Sequence, residues 1–584
     1  MARTSLFAAL RRLAAKAHAL NAAQQSRNSA GRAADLAAGP AGDLTTPRSG
    51  PTRRQVLGGA LGTVALLPLL PLTQACGDNV ATPPLHIAII GGGIAGLTCA
   101  YQLKQAGVEA TVYEAAGRVG GRMMSARGMA NDGQVIELGG ELIDTDHLVV
   151  QTLAATFNLT LDDLPAVTAG LKQDVFFFDN RELSEAELVA AFTPVAVKMA
   201  EAITASDASR DEFARLDNLS IPQWLETEAG LAPTSLIRRL LEVSYREEFG
   251  LEVAEQSAFN LLTLIDFETT DPFHVFGDSD ERFRVHVGND AITAALAEAL
   301  AGQIEVDQQL ITVARDGERH VLTLRAADGT ATTVLADHVV YALPFSVLRE
   351  VDLTAAHLSD VKRKVINELG YGSNAKLMLQ FTQRTWRTGP RMAAGSTITD
   401  VGMLQSTWET SRGQDGASGI LTNFVGGQRG VSIGAGSAEQ RAQEVLPWID
   451  TVFPGTAMAY VANSAVRQHW PTAPFVKASY ASYLVGQWNE FYGTEGKRYF
   501  TSHFCGEHTS QDYQGYMEGG AETGALVAAE ILDDLGVPPG PQLARILDVK
   551  LRLPQACYHG GERLTIAQRR RLRRQWSRNE LVVQ

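Results

Sequence analysis

The residues able to do chemistry fall in a few short stretches of this 584-residue chain. The first is "LHIAIIGGGIAGLTCAYQLKQAGVEATVYEA", where Gly91-Gly92-Gly93-Ile94-Ala95-Gly96 joins an apolar run to an amphipathic one and Glu114 closes a second apolar run. Gly91 allows a tight turn, Gly93 lets backbone approach a pyrophosphate, and Gly96 lets a helix pack on a strand. A helix N-terminus there offers free N–H groups and a positive dipole end to the phosphates. Glu114 is placed to accept from ribose hydroxyls. The second stretch, "QDYQGYMEGGAETG" at 511–524, puts Tyr516, Met517 and four glycines where the apolar "ALVAAEIL" begins. Glycine at a helix start signals close approach of something large to the backbone. The third, "GYGSNAKLMLQF" at 370–381, sets Lys376 in an apolar run, a position that would also suit the edge of a sheet.

The elements that must hold these residues are strand, glycine turn, helix and strand in succession. Ile87–Ile90 reads as a buried strand, 94 onward as a helix, and 110–113 as the next strand. "SEAELVAAFTPVAVKMAEAI" and "LIRRLLEVSYREEF" read as further helices. A chain of this length implies two or more domains. The formal net charge of −14 is uneven: residues 1–75 and 541–584 each carry +7, which leaves −28 between them. An acidic body excludes nucleic acid as the main partner. The four cysteines match neither a zinc pattern nor a disulfide framework.

"GRVGGRMMS" at 117–125 settles which dinucleotide is expected. There the chain resembles the flavin amine oxidase family, of the monoamine oxidase and L-amino acid oxidase kind, which carries such a segment directly after the ribose acid. The resemblance extends through "VIELGGELID" (135–144), "NDAITAALAEALAGQIEVDQQLITVARDG", "HVVYALPFSVL" (338–348) and "HFCGEHTSQDYQGYMEGGAETGALVAAEIL", so it covers most of 85–537. It implies an α/β fold with a Rossmann-type, glutathione-reductase-like FAD-binding domain and an interleaved α+β substrate domain. The FAD domain would comprise 85–147, 282–350 and 470–537, and the substrate domain 148–281 and 351–469. The resemblance implies cofactor contacts from Gly91, Gly93, Ile94, Ala95 and Gly96, then from Glu114, Ala115, Arg118, Gly121 and Arg122. Gly139, Gly140 and Glu141 would pass by the flavin ring, and the backbone of Val313 would meet adenine. Trp470, Gly506, Glu507, Gly515, Tyr516 and Met517 would complete the site. One departure is Ala116, where the family often has another arginine.

The same resemblance assigns catalysis to Lys376, bridged by water to flavin N5, and to Tyr480 and Tyr516 as an aromatic pair enclosing the amine. In monoamine oxidases a flavin-bonded cysteine lies nine residues after the tryptophan that matches Trp470; here that position is Ser479, so FAD is expected to be non-covalent. The expected reaction is oxidative deamination of a primary amine by O₂, with release of ammonia and hydrogen peroxide. L-Amino acid oxidation stays open as an alternative, although Leu142 stands where such enzymes place a carboxylate-binding arginine; Arg282 or Arg284 could supply one. Glu141, Asp144 and Asp146 could hold a distal cation or be solvated loop residues. A flavin desaturase or a non-catalytic flavoprotein are further alternatives.

Arg53-Arg54 before an apolar run at 56–72 resembles a twin-arginine export signal, which implies a periplasmic or secreted protein. Membrane association through that segment, or through lipid at Cys76, is a further expectation, as is a homodimer. Residues 1–50 read as disordered and 538–584 as a basic tail without an assigned role.

Overall fold

The computed structural model describes residues 85–130, 132–265 and 280–551. The twin-arginine segment, Cys76, Cys557 and most of the basic tail lie outside the described residues.

Five short strands form a parallel sheet in the spatial order Ser502–Phe504, His338–Tyr341, Ile87–Ile90, Thr111–Tyr113 and Ile304–Glu305. Ile87–Ile90 sits at the centre and every residue of it is buried. A strand covered on both faces must be apolar throughout, which is why it has no polar alternation. The chain leaves it through Gly91, at φ +113°, and enters the helix Ile94–Gln105. That helix is crossed by Met517–Asp534. The approach is so close that a Cβ on Gly524 would lie 2.1 Å from the Ala95 carbonyl oxygen, and one on Gly520 2.8 Å from Ile94 Cγ2. Gly520 and Gly524 therefore admit a helix crossing, and Gly520 also lines the cavity described below. Gly96 is equally tight: its Cβ would meet the Gly91 carbonyl oxygen at 2.0 Å.

A four-stranded sheet, Ala331–Ala336, Arg319–Ala326, Gln308–Asp316 and Asp352–Ala355, lies beyond. A seven-stranded sheet runs Val466–His469, Ala375–Phe381, Gly419–Val425, Ser406–Glu409, Thr397–Thr399, Val175–Phe178 and Arg181–Glu182. Lys376 lies on Ala375–Phe381, paired on both sides, with Gln468 and with Phe424. It is an interior residue, which rules out the edge-strand alternative. The helices Glu185–Ala208, Arg210–Asp217, Ile221–Thr227, Leu236–Phe249 and Ala258–Leu264 pack around Phe192, Phe213, Trp224 and Phe259. Ser184 starts the first of them with a capping box to Glu187, satisfying two otherwise orphan amides.

Candidate active site

A cavity of about 620 Å³ begins at the Gly91–Gly96 turn and Glu114 and ends at Trp470, Tyr516 and Met517. The turn is built for a phosphate. The Gly93 Cβ position has no atom within 4 Å, so its absence leaves open space over the helix N-terminus. Glu114 ties the loop together: Gly92 N–H donates to its Oε2 (2.7 Å) and Ala116 N–H to its Oε1 (2.8 Å). Burial pushes the Glu114 carboxyl up, against the pull of those amides. Ile94, Ala95, Ala115, Arg118, Gly121 and Arg122 all line the same cavity. Arg118 reaches the carbonyls of Val119 and Gly121. At Ala116 no arginine is available, and Arg325 lines the wall instead.

The expected backbone contact at Val313 is not seen, because Val313 does not line this cavity and its side chain is buried in the core between the parallel and four-stranded sheets. The strand reaches the cavity earlier, at Gln308, Gln309, Leu310 and Ile311. Alternation along the strand and a register shift between Leu310 and Thr312 separate the two places.

Glu507 organises the far end. It accepts from Arg122 Nη1 (2.8 Å), Gly515 N (2.9 Å) and Ala481 N (3.3 Å). Burial alone would raise its pKa, but the Arg122 guanidinium holds it below the usual carboxylate range. Tyr480 and Tyr516 thus each neighbour, in the chain, a residue whose amide is fixed on Glu507. Tyr516 lines the cavity. Tyr480 packs beside Trp470 and donates its hydroxyl to the Glu248 carbonyl. Ser479 is buried and donates to Asn374 Oδ1 (2.6 Å). Gly506 and Met517 line the cavity; Gly96, Gly139, Gly140, Glu141, Gly515, Lys376 and Tyr480 do not.

Gly139 is packed so tightly that a Cβ would overlap the Arg122 carbonyl oxygen at 1.7 Å, with Trp470 Cζ2 at 3.2 Å. Lys376 holds this loop from behind. Its Nζ donates to Glu137 O (3.0 Å), Gly139 O (2.9 Å) and Glu141 Oε2 (2.7 Å). An ammonium has three donors, and all three are taken by protein, so none remains for the expected water bridge. Glu141 also accepts from Trp408 Nε1 (2.9 Å) and Thr410 Oγ1 (2.7 Å). Burial opposes its ionisation, but Lys376 and these donors hold its pKa below the ordinary value.

The acids expected either to bind a cation or to be solvated are all buried: Glu141, Asp144 and Asp146. Arg282 and Arg284 are committed elsewhere, to Asp163 and to Asp162 with the Thr410 carbonyl. Several residues that sequence reasoning missed belong here. His508 lines the cavity with neither ring nitrogen hydrogen-bonded, and burial pushes its pKa down to about 3. His147 stands edge-on to Tyr516, ring centroids 5.4 Å apart, with its Nε2 3.3 Å from Asp144 Oδ2. The short segment "IDTDHL" carried a signal, since four polar or charged residues in an otherwise largely buried stretch need partners.

The cavity therefore suits a dinucleotide. It offers space at Gly93, a ribose acid at Glu114, and an unpaired imidazole farther along. The model of the flavin containing amine oxidoreductase family matches residues 94–532. The chain belongs to that family. It is an FAD-dependent oxidoreductase acting on CH–NH₂ groups. Among similar proteins, a pseudooxynicotine dehydrogenase of Pseudomonas sp is 24% identical over 519 residues, 84% of this chain and 97% of the relative. An L-amino-acid oxidase of Bungarus fasciatus is 20% identical over 469 residues, 77% of this chain and 87% of its own. A putrescine oxidase solved with putrescine bound has the same fold: TM-score 0.65, 19% identity, 77% of this chain and 99% of that one.

Proposed function

We propose that the chain is an oxidase for primary amines, mono- or diamines: R–CH₂–NH₂ + O₂ + H₂O gives R–CHO + NH₃ + H₂O₂. The observation that carries this reading is the one continuous cavity joining the Glu114 turn to the tyrosine end. We read the parallel sheet as a Rossmann-type, glutathione-reductase-like FAD domain formed by 85–147, 282–350 and 470–537, with 148–281 and 351–469 forming the substrate domain.

Bound FAD would supply the hydride acceptor and the route of the electrons to oxygen. The protein's own residues bind and orient. Glu114 takes the ribose, the Gly93 turn takes the phosphates, and Glu507 fixes the backbone around both tyrosines. Tyr516 would present an aromatic face that excludes water from a neutral amine, with Tyr480 packed beside Trp470 at the same end. Lys376 acts by positioning: it fixes the carbonyls of the 137–141 loop. Leu142, apolar and buried, supports amines over α-amino acids. Substrates named for relatives, putrescine among them, fit that reading.

A second reading, L-amino acid oxidation, is favoured by Arg412. Burial lowers its pKa, Glu141 and Glu281 pull it back up, and its Nε donates to the Glu409 carbonyl. In this reading it would meet the substrate carboxylate. Peroxide release in air from a panel of amines and α-amino acids separates the two readings. Exclusive turnover of α-amino acids would defeat the first.

We also read residues 1–75 as a twin-arginine signal leading to the periplasm. Arg53→Lys with Arg54→Lys should leave the precursor in the cytoplasm; undiminished export would refute this.

A further inference from the structure

Glu281 is the one buried acid near the tyrosines that no described residue satisfies at its side chain. It is 6% exposed, and neither carboxylate oxygen has a hydrogen-bond partner. Its backbone is held at φ +46°, a left-handed conformation that is uncommon for a long side chain and tends to persist where the surroundings enforce it. The surroundings are visible. Its N–H donates to Asp144 Oδ1 at 2.7 Å. Two residues on, Phe283 exchanges a pair of backbone hydrogen bonds with Ile143, both 2.8 Å. The carboxylate is thereby pinned beside the loop that carries Glu141.

Its neighbours locate it relative to the reaction. Burial first, and then the carboxylates of Asp144, Glu248 and Asp174, push its pKa well above the ordinary value, while Arg412 pulls it down. The Glu248 carbonyl takes the Tyr480 hydroxyl. Asp144 lies against His147, whose ring stands on Tyr516. Both tyrosines are thus one contact removed from a neighbour of Glu281. Neither protonation state is satisfied among the described residues: an ionised carboxylate has no donor there, and a protonated one has no acceptor for its O–H. A buried polar group in that condition is costly unless a ligand completes it. The local excess of carboxylates over guanidinium makes that ligand a cation.

We propose that Glu281 anchors a second cation of the substrate, the distal ammonium of an α,ω-diamine whose other amine reacts beside Tyr516. This rests on the amine oxidase reading above. Glu281 is then the residue that separates diamines from monoamines, and Asp144 and Glu248 add to the negative potential that draws the dication in.

Two measurements on the FAD-loaded enzyme test this. In the first, kcat/KM is compared for α,ω-diamines and n-alkylamines of equal length. The wild type should favour diamines, and Glu281→Gln should lower the diamine-to-monoamine ratio about tenfold to a hundredfold, the loss of one charge-assisted hydrogen bond. Glu281→Asp, which keeps the charge, should retain part of the preference. A ratio unchanged in Glu281→Gln, or a preference for apolar α-amino acids in both proteins, overturns the proposal and leaves Arg412 as the substrate's partner. In the second, a bis-guanidine, doubly cationic but with no oxidisable amine, is added during thermal melting. It should raise the melting temperature of the wild type and not that of Glu281→Gln. An equal shift in both, or none in the wild type, overturns the proposal. This arm still decides Glu281 if no amine is turned over, an outcome that would sink the oxidase reading separately.

Discussion

Replacing Lys376 with Met is expected to damage the protein in a way that a second substitution repairs. The change removes the three hydrogen bonds from Nζ and leaves Glu141 as a buried carboxylate without its cation. Breaking a buried pair from one side costs about 3–5 kcal/mol. Glu141→Gln alone should also be costly, because it leaves the buried ammonium without its counter-charge. In the double variant neither charge is stranded, so the losses should fall short of additivity by about 1–3 kcal/mol. Urea midpoints followed by tryptophan fluorescence, at saturating FAD, measure the cycle. Reoxidation of the reduced flavin should follow the same logic. The intact pair is close to neutral, whereas Lys376→Met leaves a negative charge beside the flavin-facing loop and should slow reoxidation. The double variant should recover. Single losses that add to within about 0.5 kcal/mol, with equal reoxidation in all four proteins, would refute the reasoning.

Gly524→Ala should separate the crossing helices and lose bound FAD, because the new Cβ has the Ala95 carbonyl 2.1 Å away; overpacking of this kind costs about 1–3 kcal/mol, and a normal flavin content on purification would count against the crossing. His320 is buried and its pKa is pushed down by burial to about 4 from 6.5. A depressed folded pKa contributes stability that is present above 6.5 and lost as pH falls towards 4. His320→Gln should therefore flatten the decline in urea midpoint between those pH values, by about 1–3 kcal/mol; an unchanged acid limb would show that other groups set it. Acid precipitation should release all flavin into the supernatant, because Ser479 replaces the attachment cysteine and the two described cysteines, Cys99 and Cys505, are buried. A yellow pellet would contradict this.

Much of the fold was legible because its signals are local. The run "IAII" followed by Gly91, Gly93 and Gly96 could be read as strand, turn and helix from residue types alone, and the helices 185–208 and 236–249 stood out by period and length. What was not legible depended on contacts distant in sequence. Lys376 looked like an edge or catalytic residue until Glu137, Gly139 and Glu141, more than 230 positions away, were seen to take its three donors. Val313 was misplaced because the register shift after Leu310 leaves no mark on the alternation of side chains. Glu281 carried no signal: an acid in "DSDERFRVH" reads as surface, and only its burial without a partner sets it apart.

The central claim, that this cavity oxidises amines through FAD and oxygen, is tested most directly by mixing the purified yellow enzyme with amines in the absence of air and then admitting oxygen. The account predicts that a primary amine bleaches the flavin absorbance, that oxygen restores it, and that one hydrogen peroxide forms for each amine consumed. Flavin that no amine or amino acid bleaches, or that stays reduced in air, would contradict it.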